Sequence, residues 1–199
     1  MGKIKLVVIR HGETPSNLSG TVTGRSEDIL TANGREQMLK VRNELLKMQQ
    51  KEFANLKTKK STDQLRLFDV VYASPMKRCI ESVQIVAPEY DPIYDDRLAE
   101  RDLGELQNYN IDELWQKPLW NSLEVERMGS GAETLLSGLN RVQSFLDDIK
   151  SQYKDSAELL LVTHSFISRC LWIITENITD EEEMSNFLHP NDQIKIYEY

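Results

Sequence analysis

The sequence predicts an α/β protein, a three-layer α/β/α sandwich around a largely parallel central sheet. Two apolar runs, Leu6–Ile9 and Leu159–Val162, are short and unbroken, as strands buried on both faces are. Strand candidates alternate with stretches of helical apolar spacing, the order that builds parallel sheets. No linker, internal repeat or low-complexity tract divides the 199 residues, which read as one domain, 1–199.

The first run, mostly β-branched, stops at Arg10-His11-Gly12. Leu18 to Leu30 holds Gly20 and Gly24 without periodicity and reads as a loop. Within it Thr23-Gly24-Arg25 offers backbone donors and a cation to an anion, or is only a connection. Thr31 suits the N-cap of a helix from Ala32 to about Gln50, with Met38, Val41, Leu45 and Met48 on its buried face. Lys51 to Gln64 is lysine-rich and reads as a helix extension running into an exposed loop.

Phe68–Ala73 is the second strand candidate. Ser74-Pro75 then reads as N-cap and first helical residue of a helix with Met76, Cys79, Ile80, Val83 and Val86 on one face. Arg78 falls in its first turn, where a cation opposes the helix dipole and a bound anion would relieve the conflict. Pro92–Tyr94 is a third short strand, and the charge-dense Asp95–Gly104 reads on its own as a solvated loop. Tyr109–Met128, with Trp115 and Trp120, reads as a lid or, more simply, a cap over the core. Leu135, Leu139, Val142, Leu146 and Ile149 step 4-3-4-3, the cleanest helical pattern in the chain. Leu159–Val162 ends in Thr163-His164-Ser165, followed by a helix with Phe166, Ile167, Leu171 and Ile174. Glu181–Glu183 reads as an acidic connection, and His189-Pro190-Asn191-Asp192 turns into a last strand, Gln193–Tyr199.

The totals exclude several classes. A net charge of −8 argues against nonspecific nucleic-acid binding, although a locally positive site still attracts an anion. No apolar stretch reaches membrane-spanning length, and the N-terminus carries no signal-peptide core, so the chain reads as cytoplasmic. Cys79 and Cys170 lie in apolar helical patterns and read as buried free thiols. A homodimer is compatible with these features.

The chemistry follows if the two histidine-ending strands are neighbours. His11, His164, Arg10 and Arg78 then project from one sheet edge and form a pocket of phosphoryl size. Guanidinium forks grip phosphate oxygens and hold the charge of a phosphoryl-transfer transition state. Cations lower a histidine's proton affinity and keep a ring nitrogen free to attack phosphorus. The leaving alkoxide needs a proton, and Glu13 and Glu100 are the candidate donors. The arginines take the place of a metal. Nothing resembles a P-loop or a dinucleotide-binding glycine motif, so no cofactor is indicated.

These residues resemble the histidine phosphatase superfamily, in its phosphoglycerate mutase-like branch. Arg10-His11-Gly12-Glu13-Thr14 with Asn17 matches the signature whose histidine is phosphorylated. Thr23-Gly24-Arg25, Leu30-Thr31, Gly34 and Gln37 resemble the segment after it, and Ser74-Pro75-Met76-Lys77-Arg78 the phosphate-binding Ser-Pro-x-x-Arg. Leu98–Gly104 is similar to the stretch with the proton-donating glutamate, which falls on Glu100 rather than Glu13. Gly131-Ala132-Glu133-Thr134 with Arg141 resembles a helix start, and His164 matches the second catalytic histidine. Two positions depart from the pattern. His164 lies between Thr163 and Ser165 rather than glycines, and Ala132 replaces a glycine. Ser165 still offers a backbone donor.

The resemblance implies a phosphoglycerate mutase-like fold, His11, Glu100 and His164 as catalytic residues, and no metal. It also implies a phosphate and substrate-binding set of Arg10, Asn17, Thr23, Gly24, Arg78, Arg101 and Ser165. Mutases of the family carry a longer basic insertion after the glutamate segment. Here Glu105–Ser130 holds only Lys117 and Arg127 as cations, which favours hydrolysis of a small phosphorylated substrate over retention of a bisphosphate. A phosphoglycerate mutase and a non-catalytic phospho-ligand binder are the alternatives. Trp115, Trp120 and Tyr109 either line the pocket mouth, where they would suit an organic group larger than glycerate, or belong to the core.

Overall fold

The β-branched runs form the inner strands of a five-stranded sheet. The structure, a computed structural model, describes residues 2–55, 67–112 and 131–199. The strands are β1 (Ile4–Arg10), β2 (Val70–Ala73), β3 (Ile93–Tyr94), β4 (Ala157–Thr163) and β5 (Ile194–Glu198). Their order is β3-β2-β4-β1-β5, all parallel except β5, which pairs antiparallel with β1.

The longer helices are α2 (Ala32–Asn55), α3 (Lys77–Val86), α4 (Leu135–Gln152) and α5 (Ser165–Thr175). Side chains of a strand alternate between its faces, and β1 shows the result. Ile4, Leu6 and Val8 join a core with Val142, Leu146 and Ile149 of α4 and Ile167 and Leu171 of α5. Val7 and Ile9 join a second core with Met38, Val41 and Leu45 of α2 and Cys79, Val83 and Val86 of α3. These two cores, one on each face, make the three layers expected. Both cysteines are free and buried. None of the described helices is long and apolar enough to cross a membrane.

Several local expectations are corrected. α3 begins at Lys77, with Met76 as a cap that makes no side-chain bond, so Ser74 and Pro75 precede the helix. Ser74 Oγ still accepts from Met76 N–H at 3.4 Å, and it also takes a tertiary bond, lying 2.8 Å from His164 Nε2. Glu181–Glu183 is not a mere connection but opens a short helix, α6 (Glu181–Ser185), capped by Asp180. Three carboxylates in a first turn suit the helix dipole. A further short helix, α1 (Pro15–Ser19), follows a capping box between Thr14 and Asn17. The charged segment after β3 is not simply solvated, because Leu98, Ala99, Arg101 and Leu103 are buried. The helix extension expected after Gln50 runs to Asn55, while Trp115, Trp120, Lys117, Arg127 and residues 56–64 of the lysine-rich stretch lie outside the described residues.

The N-terminus of α2 packs backbone to backbone on the chain after β1. A Cβ on Gly34 would overlap the Glu13 carbonyl, and one on Gly12 would overlap Gly34. Gly34→Ala therefore tests this contact. The added methyl improves helix propensity by about 1 kcal/mol, but the overlap is with backbone and cannot be relieved by a rotamer change. We expect a net loss of about 1–3 kcal/mol, read as a lower urea midpoint than wild type.

Candidate active site

Three strand ends meet at the carboxyl edge of the sheet. In the β1–β4 register Arg10 faces Thr163, and in the β2–β4 register Ala73 faces Val162. The ladder runs one residue further at both places. His11 N–H donates to Thr163 O at 2.9 Å, and Ser74 N–H donates to Val162 O at 3.0 Å. His11 and His164, the residues next after β1 and β4, thus sit side by side, with ring centroids 5.1 Å apart.

Their hydrogen bonds fix which ring nitrogens carry protons. His11 Nδ1 lies 2.8 Å from the carbonyl oxygen of Gly12, which can only accept, so Nδ1 holds the hydrogen and Nε2 keeps its lone pair. Arg78 Nε, which can only donate, lies 3.3 Å from His164 Nδ1. His164 therefore carries its hydrogen on Nε2 and donates it to Ser74 Oγ. Cys79 Sγ packs 3.4 Å from the same nitrogen. Both rings are buried. Burial and then the nearby Arg78 and Arg10 charges push the pKa of each well below the ordinary histidine value, so both are neutral at pH 7.

The cations are held mainly by backbone carbonyls. Arg78, only 2% exposed, donates to Gly24 O at 2.8 Å and Ser26 O at 3.0 Å. Gly24 has φ +51°, and a Cβ there would crowd Leu103 and the Arg101 carbonyl, so the turn needs glycine. Arg10 donates from Nη1 to His189 O at 3.1 Å, and its buried Nε has no hydrogen-bond partner among the described residues. Burial lowers its pKa, opposed by Glu100. Glu100 Oε2 is 3.8 Å from His164 Nδ1. Glu13, the other candidate acid, is turned away and bound to Thr31 Oγ1 at 2.7 Å and Asn33 Nδ2 at 3.0 Å.

Glu100 lies on an irregular segment braced from α4. Arg141 makes a two-pronged ion pair with Glu133, at 2.5 and 2.8 Å. The same guanidinium donates to the carbonyls of Arg97, at 2.6 Å, and Ala99, at 2.8 Å. Glu133 N–H donates to Asp102 O at 2.7 Å. Arg101 reaches Glu133 O at 2.6 Å and stacks over Phe166. Burial, then the charge of Arg169, lowers its pKa to about 10, so it stays charged at neutral pH.

A cavity of about 440 Å³ opens on these groups, a size suited to a small organic ligand. Arg10, His11, Asn17, Thr23, Gly24, Arg78, Glu100, Arg101 and Ser165 all line it, and His164 lies directly behind. Tyr109 is not among the lining residues. Among the described residues, no group of three or more histidine, cysteine, aspartate or glutamate side chains could hold a metal ion.

Asn191 and Arg169 are among the lining residues that escaped the sequence reading. Asn191, read as part of a turn, donates to His11 O at 2.6 Å, a contact set by the tertiary return of the chain. Arg169 had a signal, a lone cation in the apolar stretch Phe166–Trp172.

Fold and site together define an α/β protein with a cationic two-histidine pocket at the carboxyl edge of its sheet. Residues 6–199 match the model of the histidine phosphatase superfamily (branch 1), and the chain belongs to that family. It is 27% identical over 188 residues to a 2,3-bisphosphoglycerate-dependent phosphoglycerate mutase of Cytophaga hutchinsonii, covering 89% of this chain and 79% of that one. It is 26% identical over 176 residues to phosphoserine phosphatase 1 of Hydrogenobacter thermophilus, covering 85% and 74%. Among solved structures it is similar to Entamoeba histolytica phosphoserine phosphatase in complex with 3-phosphoglyceric acid. The TM-score is 0.75 at 20% identity, with 97% of this chain and 89% of that chain covered.

Histidine burial predicts acid sensitivity. His189 accepts from Ser168 Oγ at 2.6 Å and donates to Gln193 O at 3.0 Å, and burial lowers its pKa to about 4. A folded-state pKa below the unfolded value gives stability that is fully present above pH 6.5 and lost as pH falls toward 4. His11 and His164 act in the same direction. His189 alone should contribute a loss of about 2 kcal/mol by pH 5. Urea midpoints from pH 8 to pH 4 should fall accordingly, and His189→Gln should make the fall shallower.

Proposed function

We propose that the protein is a metal-independent phosphomonoesterase that works through a phosphohistidine on His11, with Glu100 as proton donor. The observation that carries this reading is a neutral His11, its Nε2 lone pair open, beside His164 in a cavity lined by Arg10 and Arg78. In the first half-reaction Nε2 attacks phosphorus and the bond from phosphorus to the leaving oxygen breaks. The Glu100 carboxyl gives its proton to the departing alkoxide. In the second, the Glu100 carboxylate takes a proton from water as the water oxygen attacks phosphorus. The P–N bond breaks, inorganic phosphate leaves and His11 regains its lone pair.

Arg10 and Arg78 carry the charge that builds on the phosphoryl oxygens, a task a metal performs elsewhere. α5 begins at Ser165, which lines the same cavity, and a helix N-terminus there suits an anion. His164, behind the cavity wall, orients Arg78 through the bond between its Nδ1 and Arg78 Nε. Arg101, Asn17, Thr23 and Gly24 bound the rest of the substrate. The likeness to a phosphoserine phosphatase supports a small phosphorylated organic substrate.

The likeness to a bisphosphoglycerate-dependent mutase supports a second reading, phosphoryl return to a bound product. With only Lys117 and Arg127 as cations in Glu105–Ser130, the intermediate is poorly retained and water wins. Activity that requires a bisphosphate primer would establish the mutase instead.

Two variants test the mechanism. His11→Ala should lower hydrolysis of p-nitrophenyl phosphate by at least about a thousandfold, the scale of losing a nucleophile. Full turnover by this variant would remove His11 from the role. In the first half-reaction, read by rapid quench as phosphoenzyme formation, Glu100→Gln should slow an alkyl phosphate by about 10²–10⁴-fold and p-nitrophenyl phosphate far less, because nitrophenolate leaves without a proton. Equal losses on both substrates would argue against proton donation by Glu100.

A further inference from the structure

We propose that Gln37 is a positioning residue that fixes the tautomer of His11 through the Gly12–Glu13 peptide. The inference rests on the reading of His11 Nε2 as nucleophile and assigns what holds that nitrogen open. Gly12 O, which accepts from His11 Nδ1 at 2.8 Å, belongs to the same planar unit as Glu13 N. Glu13 N–H donates to Gln37 Oε1, also at 2.8 Å. One peptide plate is thus pinned at opposite edges, by the imidazole on its oxygen and by the Gln37 amide on its nitrogen.

The preceding plate is pinned as well. His11 O accepts from Asn191 at 2.6 Å, and Gly12 N–H donates to Ser82 Oγ at 3.1 Å. Rotation about Gly12 is therefore confined to the second plate, and glycine is the residue that most permits such rotation. If this plate flipped, its N–H would face His11 Nδ1, which would then have to accept. The ring hydrogen would move to Nε2, the atom that must attack phosphorus. The acceptor oxygen of Gln37 selects against that state, because a flipped plate would leave a partly buried amide donor unmatched. Thr31 N–H holds the next plate, on Glu13 O at 2.9 Å, and Gly34 of α2 packs closely against both Glu13 O and Glu13 N, but neither accepts a hydrogen bond from the Glu13 N–H, which Gln37 alone takes up among the described residues.

The test is long-range ¹H–¹⁵N spectroscopy on protein labelled at histidine nitrogen, with His11 assigned by comparison with His11→Ala. Wild type should show hydrogen on Nδ1. Gln37→Leu, similar in size but without an acceptor, should show a substantial fraction with hydrogen on Nε2. Its rate of phosphoenzyme formation from p-nitrophenyl phosphate, by rapid quench, should fall by at least about tenfold, with KM within about twofold. Gln37→Glu keeps an acceptor oxygen and should restore the wild-type tautomer and most of the rate. An unchanged tautomer and rate in Gln37→Leu would overturn the proposal. If Gln37→Leu does not fold, wild type decides by itself. Slow exchange of the Glu13 amide together with an Nδ1–H tautomer supports the proposal, and failure of either overturns it. A wild-type enzyme that forms no phosphohistidine would remove the nucleophile reading, while the spectra would still report whether Gln37 sets the tautomer.

Discussion

The placement of β4 between β1 and β2 is the constraint on which the site depends. Hydrogen-bonded strands lie about 4.8 Å apart, and the two imidazoles, each one residue past a strand, stand 5.1 Å apart. Their proximity is essentially one strand spacing. It is held by seven paired positions between β1 and β4, from Ile4 with Ala157 to Arg10 with Thr163. A slip of one residue would turn the side chains of the slipped strand to the other face. The two cores resist that slip, since they bury opposite faces of the same strands.

The arginines divide by what holds them. Arg97 and Arg141 are held by carboxylates, Asp95 and Asp148 for one and Glu133 for the other, and they brace backbone. Arg78 and Arg10 are held by the carbonyls of Gly24, Ser26 and His189. A carbonyl orients a guanidinium without cancelling its charge, so a chain of net charge −8 still presents a cationic cavity. The same uncancelled charge, with burial, keeps both histidines neutral. In the proposed reaction an arriving phosphate would offset the cost of gathering these cations and meet a ring nitrogen still able to attack.

Much of this was legible in the sequence because it is local. The apolar runs Leu6–Ile9 and Leu159–Val162 give strands whatever surrounds them, and Arg10, His11, Thr163 and His164 follow directly. The 4-3-4-3 spacing from Leu135 to Ile149 likewise needs no partner to be recognised. What was not legible depends on long-range contact. Ser74 has the chemistry of a helix cap, and only the return of β4 offers it His164 as well. Asn191 looks like any turn residue until β5 lies beside β1 and brings it to His11. Leu98 and Leu103 are buried inside a charge-dense stretch because Thr163 and Glu133 tether its backbone, at Leu98 O and Asp102, from far along the chain.

The proposed nucleophile and the proposed acid are positioned by different means, and the chemistry proposed for them accounts for the difference. His11 stands at the end of a buried strand, with the peptides on both sides of Gly12 anchored from three separate elements. In-line attack on phosphorus tolerates little misplacement, so rigid support is worth most there. Glu100 stands on irregular backbone whose shape is imposed by the partly buried Glu133–Arg141 pair. Proton transfer needs hydrogen-bond reach, directly or through one water, rather than a fixed line of approach. A braced loop meets that looser requirement. In the proposed reaction it also places the acid beside the leaving group, where alcohols of different shape would have to be admitted.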